Sequence, residues 1–272
     1  PQKLINFLMS TPILSRIFSS LIKKSLGLSK SRICITGAAS IPKSTLKWFD
    51  RFKIKIYEAY GMSENSACSH GNYPGNIKFG TVGKAMPDTD IKITDKGEVI
   101  MKNDCIMKGY YKEEELTKQT IKKGYLHTGD KGTIDDDGYL TITGRIKDIF
   151  KTSKGKYVAP NPIEMKLSKN NLIEQVCVVG ENLTQPIALV VMNETKKIAD
   201  DIKNNFEALI DSINNKLEKH ERIKKIVILK DSWSIENNIL TPTMKIKRNV
   251  VEEKYKEFYE NWFNSKNQII FQ

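Results

Sequence analysis

The feature that most constrains the fold is a strand–helix–strand pattern at residues 32–59. Residues 32–36 and 54–59 are short apolar or alternating runs, which predicts two strands. Between them, Pro42 precedes a segment, residues 43–52, that reads as a helix. This order predicts a βαβ unit in a parallel sheet, with a ligand crevice at the carboxyl ends of the strands.

The remainder of the chain divides into two further regions. After residue 75, glycines separate short apolar runs at 90–94, 98–102 and 139–143, which predicts antiparallel strands in a small barrel or sandwich. Beyond residues 145–148 we expect a compact α+β unit. Its predicted helices are 161–169, 196–219 and 249–263, and its predicted strands are 175–180, 187–192 and 225–229. The fold class is therefore α/β followed by α+β, with domains at 1–146 and 147–272.

Composition limits the environment of the chain. Apolar residues make up 39% of the 272 residues, and no run approaches the roughly 18 apolar residues that a membrane span needs. Residues 14–22 place apolar side chains on one helical face, for which we expect contact with the core; contact with a membrane surface is the alternative. The four cysteines form no CxxC pair, so neither a zinc site nor a disulfide framework is indicated, and we expect a cytoplasmic protein.

The chain carries a formal net charge of +12. Such a surface favours anionic partners, among them nucleotides, coenzyme phosphates, acidic lipid and nucleic acid. A solvated lysine-rich surface without a partner is the alternative interpretation. No nucleic-acid motif accompanies the charge, so we do not expect a nucleic-acid-binding protein.

Two segments follow the predicted strands of the βαβ unit. Thr36–Ser40 is rich in small residues, which let a flat ring or a phosphate approach the backbone. Tyr60-Gly61-Met62-Ser63-Glu64 combines an aromatic ring, a hydroxyl and a carboxylate, which could stack on a base, bind a phosphate oxygen and hold Mg²⁺. A tight turn and a capped surface turn are the alternatives for these two segments.

Two more segments lie further along the chain. Tyr125–Asp130, placed at the end of a predicted strand, offers a carboxylate for ribose hydroxyls, and Arg145 offers a cation for the same sugar or a phosphate. Leu240–Arg248 is rich in lysine and could supply a mobile charge to a phosphoryl centre. A turn aspartate and a solvated surface are the alternatives.

Taken together and in this order, these segments resemble the adenylate-forming superfamily, which includes acyl-CoA synthetases, luciferases and the adenylation domains of peptide synthetases. The resemblance runs from about residue 30 to residue 250. Ile149–Pro160 and Leu240–Arg248 are most similar to the long-chain fatty-acid–CoA ligases, with short-chain and aryl ligases as the alternative. Many relatives carry glycine where this chain has Met244.

The resemblance implies two half-reactions. A fatty acid reacts with Mg²⁺-ATP to give acyl-AMP and pyrophosphate, and coenzyme A then displaces AMP. The implied roles are as follows: Gly37, Ala38 and Ala39 border adenine and the acyl channel; Tyr60 stacks on adenine, within a loop that includes Gly61 and Met62; Ser63 contacts the α-phosphate; Glu64 helps to hold Mg²⁺; Asp130 binds the ribose; Arg145 binds ribose or phosphate; Lys147 is a hinge; Gly155 lines the pantetheine route; and Lys245 bridges the carboxylate and the α-phosphate.

One element of the family is missing. The family's Thr-Ser-Gly-Thr-Thr-Gly-x-Pro-Lys-Gly loop, which embraces the β- and γ-phosphates, has no counterpart in residues 1–36. We therefore expect this chain to be the C-terminal half of such an enzyme, inactive alone, with the N-terminal half as its missing partner. A nucleotide- or acyl-binding module without turnover is the alternative.

Overall fold

The computed structural model describes residues 5, 7, 9–39, 41–193 and 202–272. Contacts along the chain divide it into two compact units, Pro1–Ile142 and Thr143–Gln272. The domain boundary expected after residue 146 stays a prediction. None of the described helices is both long enough and apolar enough to cross a membrane.

The first unit begins with the predicted βαβ arrangement. Strands β1 and β2 are parallel, with Cys34 opposite Ile56, and two short antiparallel strands continue the sheet in the order β1-β2-β3-β4. Helix α1 begins with Pro12, whose fixed φ suits the first helical turn. The elements are α1 (Pro12–Ser25), β1 (Cys34–Thr36), α2 (Lys43–Arg51), β2 (Ile56–Tyr60), β3 (His70–Gly71) and β4 (Lys84–Ala85).

A second, antiparallel sheet completes this unit, as the glycine-separated runs predict. Its order is β5-β6-β8-β7, and β9 pairs with β8. Alternate side chains of β6 and β8 face a small core that contains Val99, Met101, Leu126 and Leu140. The elements are β5 (Asp90–Ile93), β6 (Glu98–Lys102), α3 (Glu114–Thr120), β7 (Ile121–Lys122), β8 (Tyr125–Ile134) and β9 (Leu140–Arg145).

The second unit is a four-stranded sheet, in the order β12-β13-β14-β15, that is covered on both faces. The central strand β13, Ile-Ala-Leu-Val-Val-Met, is buried along its whole length. One face packs against α4 and α5 and the other against α6 and α7, so its strands read as continuous apolar runs. The elements are β10 (Phe150–Lys151), β11 (Tyr157–Val158), α4 (Pro160–Leu167), β12 (Ile173–Val179), β13 (Ile187–Met192), α5 (Ile202–Asn214), β14 (Lys225–Leu229), α6 (Arg248–Tyr255), α7 (Tyr259–Asn264) and β15 (Ile269–Phe271).

The expectation that the apolar face of α1 contacts the core is wrong for two of the five side chains on that face. Phe18 packs edge-on against Phe52 with ring centroids 6.0 Å apart. However, Ile17 and Leu21 are 55% and 59% exposed, and the buried side chains of the helix are serines. The apolar stripe is wider than the surface that this unit offers to it.

Two predicted helices have different bounds in the structure. The helix expected at 196–219 lies partly outside the described residues, and its described part, α5, ends at Asn214. The helix expected at 249–263 is broken, because a 3-10 turn at Lys256–Phe258 separates α6 from α7. The ring of Phe258, the last residue of this turn, stacks on Trp262 with centroids 5.5 Å apart. Periodicity alone does not reveal such a change of helical pitch.

Candidate functional site

The first unit brings together two of the predicted site residues. The hydroxyl of Tyr60, at the end of β2, donates a hydrogen bond to Oδ2 of Asp130 in β8, at 2.5 Å. Asp130 is 5% exposed and lies on the face of β8 that carries Leu126. An aromatic ring and a buried carboxylate from two different sheets therefore meet at one point.

The sequence pattern placed Asp130 at the end of a predicted strand. In the structure, Asp130 lies within β8. The pairing of β6 with β8 is interrupted between Glu98, opposite Lys131, and Ile100, opposite His127. Gly129 lies in this interruption with φ +68°, a conformation that glycine adopts without strain. The irregularity is a β-bulge, a feature that commonly re-aims a side chain next to a functional site.

Glu98 holds the bulge in place, and sequence reasoning missed it. Its carboxylate accepts a hydrogen bond from the Gly129 N–H at 3.0 Å, and its other oxygen lies 2.9 Å from Nδ1 of His127. The Glu98 side chain is only 18% exposed. The sequence around Glu98 does not indicate a functional role, because its hydrogen-bond partners are more than 25 positions away along the chain. The neighbouring residues have the pattern of an ordinary strand.

The Tyr60–Glu64 segment forms a tight loop. A Cβ atom at Gly61 would lie 2.5 Å from backbone atoms of Ala67, so no other residue fits there without a shift. A short 3-10 helix, Ser63–Asn65, follows, and the buried Asn65 accepts the Met62 N–H through its side chain at 2.9 Å. This leaves Ser63 exposed at the loop surface.

Glu64 is half-buried, and its Oε1 accepts a hydrogen bond from the hydroxyl of Tyr110 at 2.7 Å. Burial, and then this bond, raise the pKa of Tyr110, so the phenol keeps its proton and remains the donor. Among the described residues, no group of three or more His, Cys, Asp or Glu side chains could hold a metal. A single carboxylate suits Mg²⁺ only where phosphate oxygens and water complete the octahedron.

The turn at Gly37–Ala39 is strained. Ala38 has φ +66°, and the Ala39 N–H donates to the Gly37 carbonyl at 2.7 Å, which makes a three-residue γ-turn. A Cβ at Gly37 would lie 3.4 Å from the carbonyl oxygen of Ala59, which directly precedes Tyr60. The turn is exposed and lies beside the end of β2. Ser40, the last residue of this predicted segment, lies outside the described residues.

His70, which the sequence pattern did not single out, is buried beside Tyr60. Its ring centroid lies 6.3 Å from that of Tyr60, and Nδ1 lies 2.8 Å from the Ser69 hydroxyl. It is 1% exposed, and burial lowers its pKa to about 4. The imidazole is therefore neutral at physiological pH.

In the second unit, Lys245 ends a hairpin loop that begins at Thr241. The Thr241 N–H donates to the Lys245 carbonyl at 2.8 Å, and the Met244 N–H donates to the Thr241 carbonyl at 2.8 Å. Met244 has φ +61°, the left-handed conformation that closes such three-residue loops and that favours glycine. Met244 therefore occupies a position whose backbone conformation favours glycine.

Lys245 and Lys247 differ in their surroundings. Lys245 is exposed at the end of the loop. Lys247 is half-buried, and its ammonium donates to Oδ1 of Asn238 at 2.5 Å. The ammonium of Lys247 is therefore held by a neighbouring side chain.

Gly155 occupies a loop with the same pattern of hydrogen bonds. The Thr152 N–H donates to the Lys156 carbonyl at 2.8 Å, and the Gly155 N–H donates to the Thr152 carbonyl at 2.9 Å. Gly155 has φ +76° and is exposed. Glycine adopts this left-handed conformation without strain, whereas Met244 occupies the equivalent position in the loop before Lys245.

The predicted hinge is exposed at its two basic residues, Arg145 and Lys147. Its next residue, Asp148, lies 3.8 Å from Nε of Arg248, whose Nη2 is 2.6 Å from Glu164. Arg248 also donates to the Val178 carbonyl at 2.7 Å. Although burial opposes its charge, the surrounding acidic groups leave the pKa of Arg248 raised, so the guanidinium ties the end of the hinge to α4 and β12.

Two family models match the chain in order. The AMP-binding enzyme model matches residues 4–111, and the model of the C-terminal domain of AMP-binding enzymes matches residues 147–267. The two matches together cover most of the chain, and the chain belongs to the AMP-binding enzymes.

Two curated relatives carry the name of long-chain fatty-acid–CoA ligases. The long-chain-fatty-acid–CoA ligase FadD15 of Mycobacterium bovis is 31% identical over 271 residues, which cover 93% of this chain and 45% of the relative. The long-chain-fatty-acid–CoA ligase ACSBG2 of Gallus gallus is 30% identical, with 90% of this chain and 38% of the relative covered. The chain thus spans less than half the length of these relatives.

Solved structures share the fold. The anthranilate CoA ligase AuaEII, in complex with anthranoyl-AMP, superposes with a TM-score of 0.73 at 23% identity, over 89% of this chain and 48% of that one. The ATP-bound RpMatB-BxBclM chimera B1 gives 0.73 at 25% identity, over 95% of this chain and 54% of that one. The expected combination of α/β and α+β architecture is confirmed.

Proposed function

We propose that this chain is the C-terminal half of an AMP-forming long-chain fatty-acid–CoA ligase, and that it supplies the nucleoside site and the mobile lysine of that enzyme. The observation that supports the proposal most directly is the hydrogen bond of 2.5 Å between Tyr60 and Asp130. It joins the aromatic and the carboxylate motifs in a chain whose curated relatives are long-chain fatty-acid–CoA ligases.

The nucleoside half of the site lies in the first unit. Tyr60 offers a ring face to adenine, and its bond to Asp130 fixes the ring and the carboxylate relative to one another. A carboxylate has about four acceptor positions, which suits Asp130 to accept hydrogen bonds from ribose hydroxyls as well as from Tyr60. The strained Gly37–Ala39 turn exposes backbone to a flat ligand, and Ser63 offers a hydroxyl to the α-phosphate. Glu64, already oriented by Tyr110, would hold Mg²⁺ together with the nucleotide phosphates.

The second unit supplies the cation that stabilises negative charge in the transition state. When a carboxylate attacks the α-phosphate, negative charge develops at phosphorus, and a nearby cation stabilises that transition state. Lys245 provides the cation from an exposed loop. Coenzyme A attack then requires withdrawal of Lys245, with Lys147 as the pivot and the Gly155 loop along the pantetheine route.

The first experiment tests the nucleoside site in the 272-residue chain. Calorimetry with AMP should show binding that Asp130→Ala abolishes, while Asp136→Ala, in an exposed turn, leaves it intact. Palmitate-dependent ATP–pyrophosphate exchange should be absent, because the loop that cradles the β- and γ-phosphates is missing. Robust exchange by this chain would contradict the assignment as a half-enzyme, and equal loss of AMP binding in both variants would contradict the role of Asp130.

The second experiment uses a full-length enzyme that contains this chain. Lys245→Ala should slow adenylation by about 100-fold or more, while thioester formation from supplied acyl-AMP and coenzyme A is largely spared. Lys247→Ala is the matched control and should leave adenylation near its original rate. Lys147→Pro should slow thioester formation far more than adenylation, because proline fixes φ at the pivot.

Two results would redirect the proposal. Equal collapse of both half-reactions in Lys245→Ala would show a structural role for that lysine. AMP binding without any turnover in the full-length protein would favour a nucleotide-binding module that has lost catalysis.

A further inference from the structure

Two cysteines that are distant in the sequence lie side by side in the first unit. Cys68 follows the 3-10 helix Ser63–Asn65, and Cys105 lies in the loop after β6. Both are free thiols; Cys68 is half-buried and Cys105 is exposed. The sequence alone indicated no disulfide, since the two residues share no motif.

Hydrogen bonds on each side of the cysteines hold their two segments together. The Ser66 hydroxyl donates to the Cys105 carbonyl at 3.3 Å, and the Asn103 amide donates to the Cys68 carbonyl at 2.9 Å. Further along, the Met107 N–H donates to the Glu64 carbonyl at 2.8 Å. Hydrogen bonds therefore join the segment 64–68 to the segment 103–107 at three points along their length.

The Cys68 side chain also affects the titration of Cys105. The pKa of Cys105 is raised, first by the hydrogen bond that it shares with the Cys68 side chain and then by the charge of that group. The three hydrogen bonds hold the two cysteine-bearing segments together, so a disulfide between Cys68 and Cys105 would join stretches of chain that already run side by side.

We propose that Cys68 and Cys105 form a redox-active dithiol that hydrogen peroxide or another hydroperoxide converts into an intramolecular disulfide. One thiolate attacks the peroxide oxygen, which gives a sulfenic acid and, with one proton, water. The second thiolate attacks the sulfenic sulfur and, with another proton, expels a second water. In total, two thiols lose two electrons and two protons, and the peroxide is reduced to two molecules of water.

The other two cysteines do not fit this chemistry. Cys177 is fully buried, whereas Cys105 is exposed, so a peroxide in solution does not reach the Cys177 sulfur. Cys34 is half-buried and has the hydroxyl of Ser31 at 3.3 Å. Cys34 is therefore a suitable internal control, since it has similar exposure to Cys68 without a partner thiol.

The disulfide would act on the loop that carries Glu64. Two residues with left-handed backbone conformations, Ser66 at φ +54° and Ala67 at φ +58°, lie between Glu64 and Cys68 in this loop. A covalent bond at Cys68 would fasten this loop to the segment that contains Asn103 and Met107. Hydrogen exchange of the 61–68 backbone should therefore slow on oxidation, by about 10-fold or more. This inference does not depend on the proposed enzymatic function.

The experiment uses the reduced 272-residue chain and one equivalent of hydrogen peroxide. Titration under denaturing conditions should show the four free thiols fall to two, and peptide mapping should recover a linked pair that contains Cys68 and Cys105. Dithiothreitol should restore all four thiols. Phenylarsine oxide, which bridges two neighbouring thiols, should bind the reduced chain in a ratio of one to one.

Matched variants separate this pair from general oxidation. Cys34→Ser should keep the linked peptide, the arsenical binding and the slowed exchange at 61–68. Cys105→Ser, at an exposed position where serine is tolerated, should lose all three. The proposal is overturned if peroxide gives mainly linked dimers or sulfinic acids, if the linked peptide contains Cys34, or if Cys105→Ser retains arsenical binding.

Discussion

The loop before Lys245 allows a sharp test of backbone strain, because the Gly155 loop has the same hydrogen-bond pattern with glycine in the equivalent position. Met244 adopts φ +61° and its side chain is 63% exposed, so its conformation rather than its packing dominates this position. We therefore predict that Met244→Gly is more stable than Met244→Ala. At ordinary strand and helix positions the order is the reverse.

The magnitude follows from two opposing contributions. An L-residue in the left-handed region costs roughly 1–2 kcal/mol, which glycine avoids. Glycine loses about 0.5–1 kcal/mol more conformational entropy on folding than alanine does. The difference predicts that the free energy of unfolding of Met244→Gly exceeds that of Met244→Ala by about 1 kcal/mol.

Urea unfolding of the full chain provides the assay, with fluorescence of the buried Trp233 and Trp262 as the signal of the second unit. Gly155→Ala, in the sister loop, is the matched control and should lose about 1 kcal/mol. If Met244→Gly is no more stable than Met244→Ala while Gly155→Ala is destabilised, position 244 is not strained in solution and the reasoning fails.

Three further predictions concern charged or titratable groups that are buried or half-buried. His70 has a pKa of about 4 in the folded chain and 6.5 in the unfolded chain, so the unfolded state binds the proton first as the pH falls. The free energy of unfolding should therefore fall by roughly 3 kcal/mol between pH 6.5 and pH 4, and His70→Gln should not show this fall when denaturation is followed against pH. Glu98→Gln should destabilise the β8 bulge by about 1–3 kcal/mol and weaken AMP binding in calorimetry, whereas unchanged binding would contradict a positioning role. Arg248→Met should lower the free energy of unfolding by about 3–5 kcal/mol, and the double variant with Glu164→Leu should lose less than the sum of the single losses; strict additivity would argue against the pair.

The local elements of this protein could be predicted from its sequence. The alternating and apolar runs predicted strands at 187–192 and 225–229 with the bounds that the structure has. The parallel pairing of β1 with β2 followed from the strand–helix–strand order, because such crossovers place the two strands in one sheet. The site segments were recognisable for a related reason, since each combines its small or polar residues within a few positions of the chain.

The contacts between segments were decided by the tertiary structure alone. The sequence placed Asp130 after a strand, whereas a bulge pinned by the distant Glu98 turns it toward Tyr60. The hydrogen bonds between the segments that carry Cys68 and Cys105 likewise depend on loops that two different sheets bring together. Helix α1 shows the same limit, because amphipathicity indicates that one face prefers burial but not how much of that face the fold will cover. Periodicity records which side chains share a side of one element, and only the packed chain determines what stands opposite them.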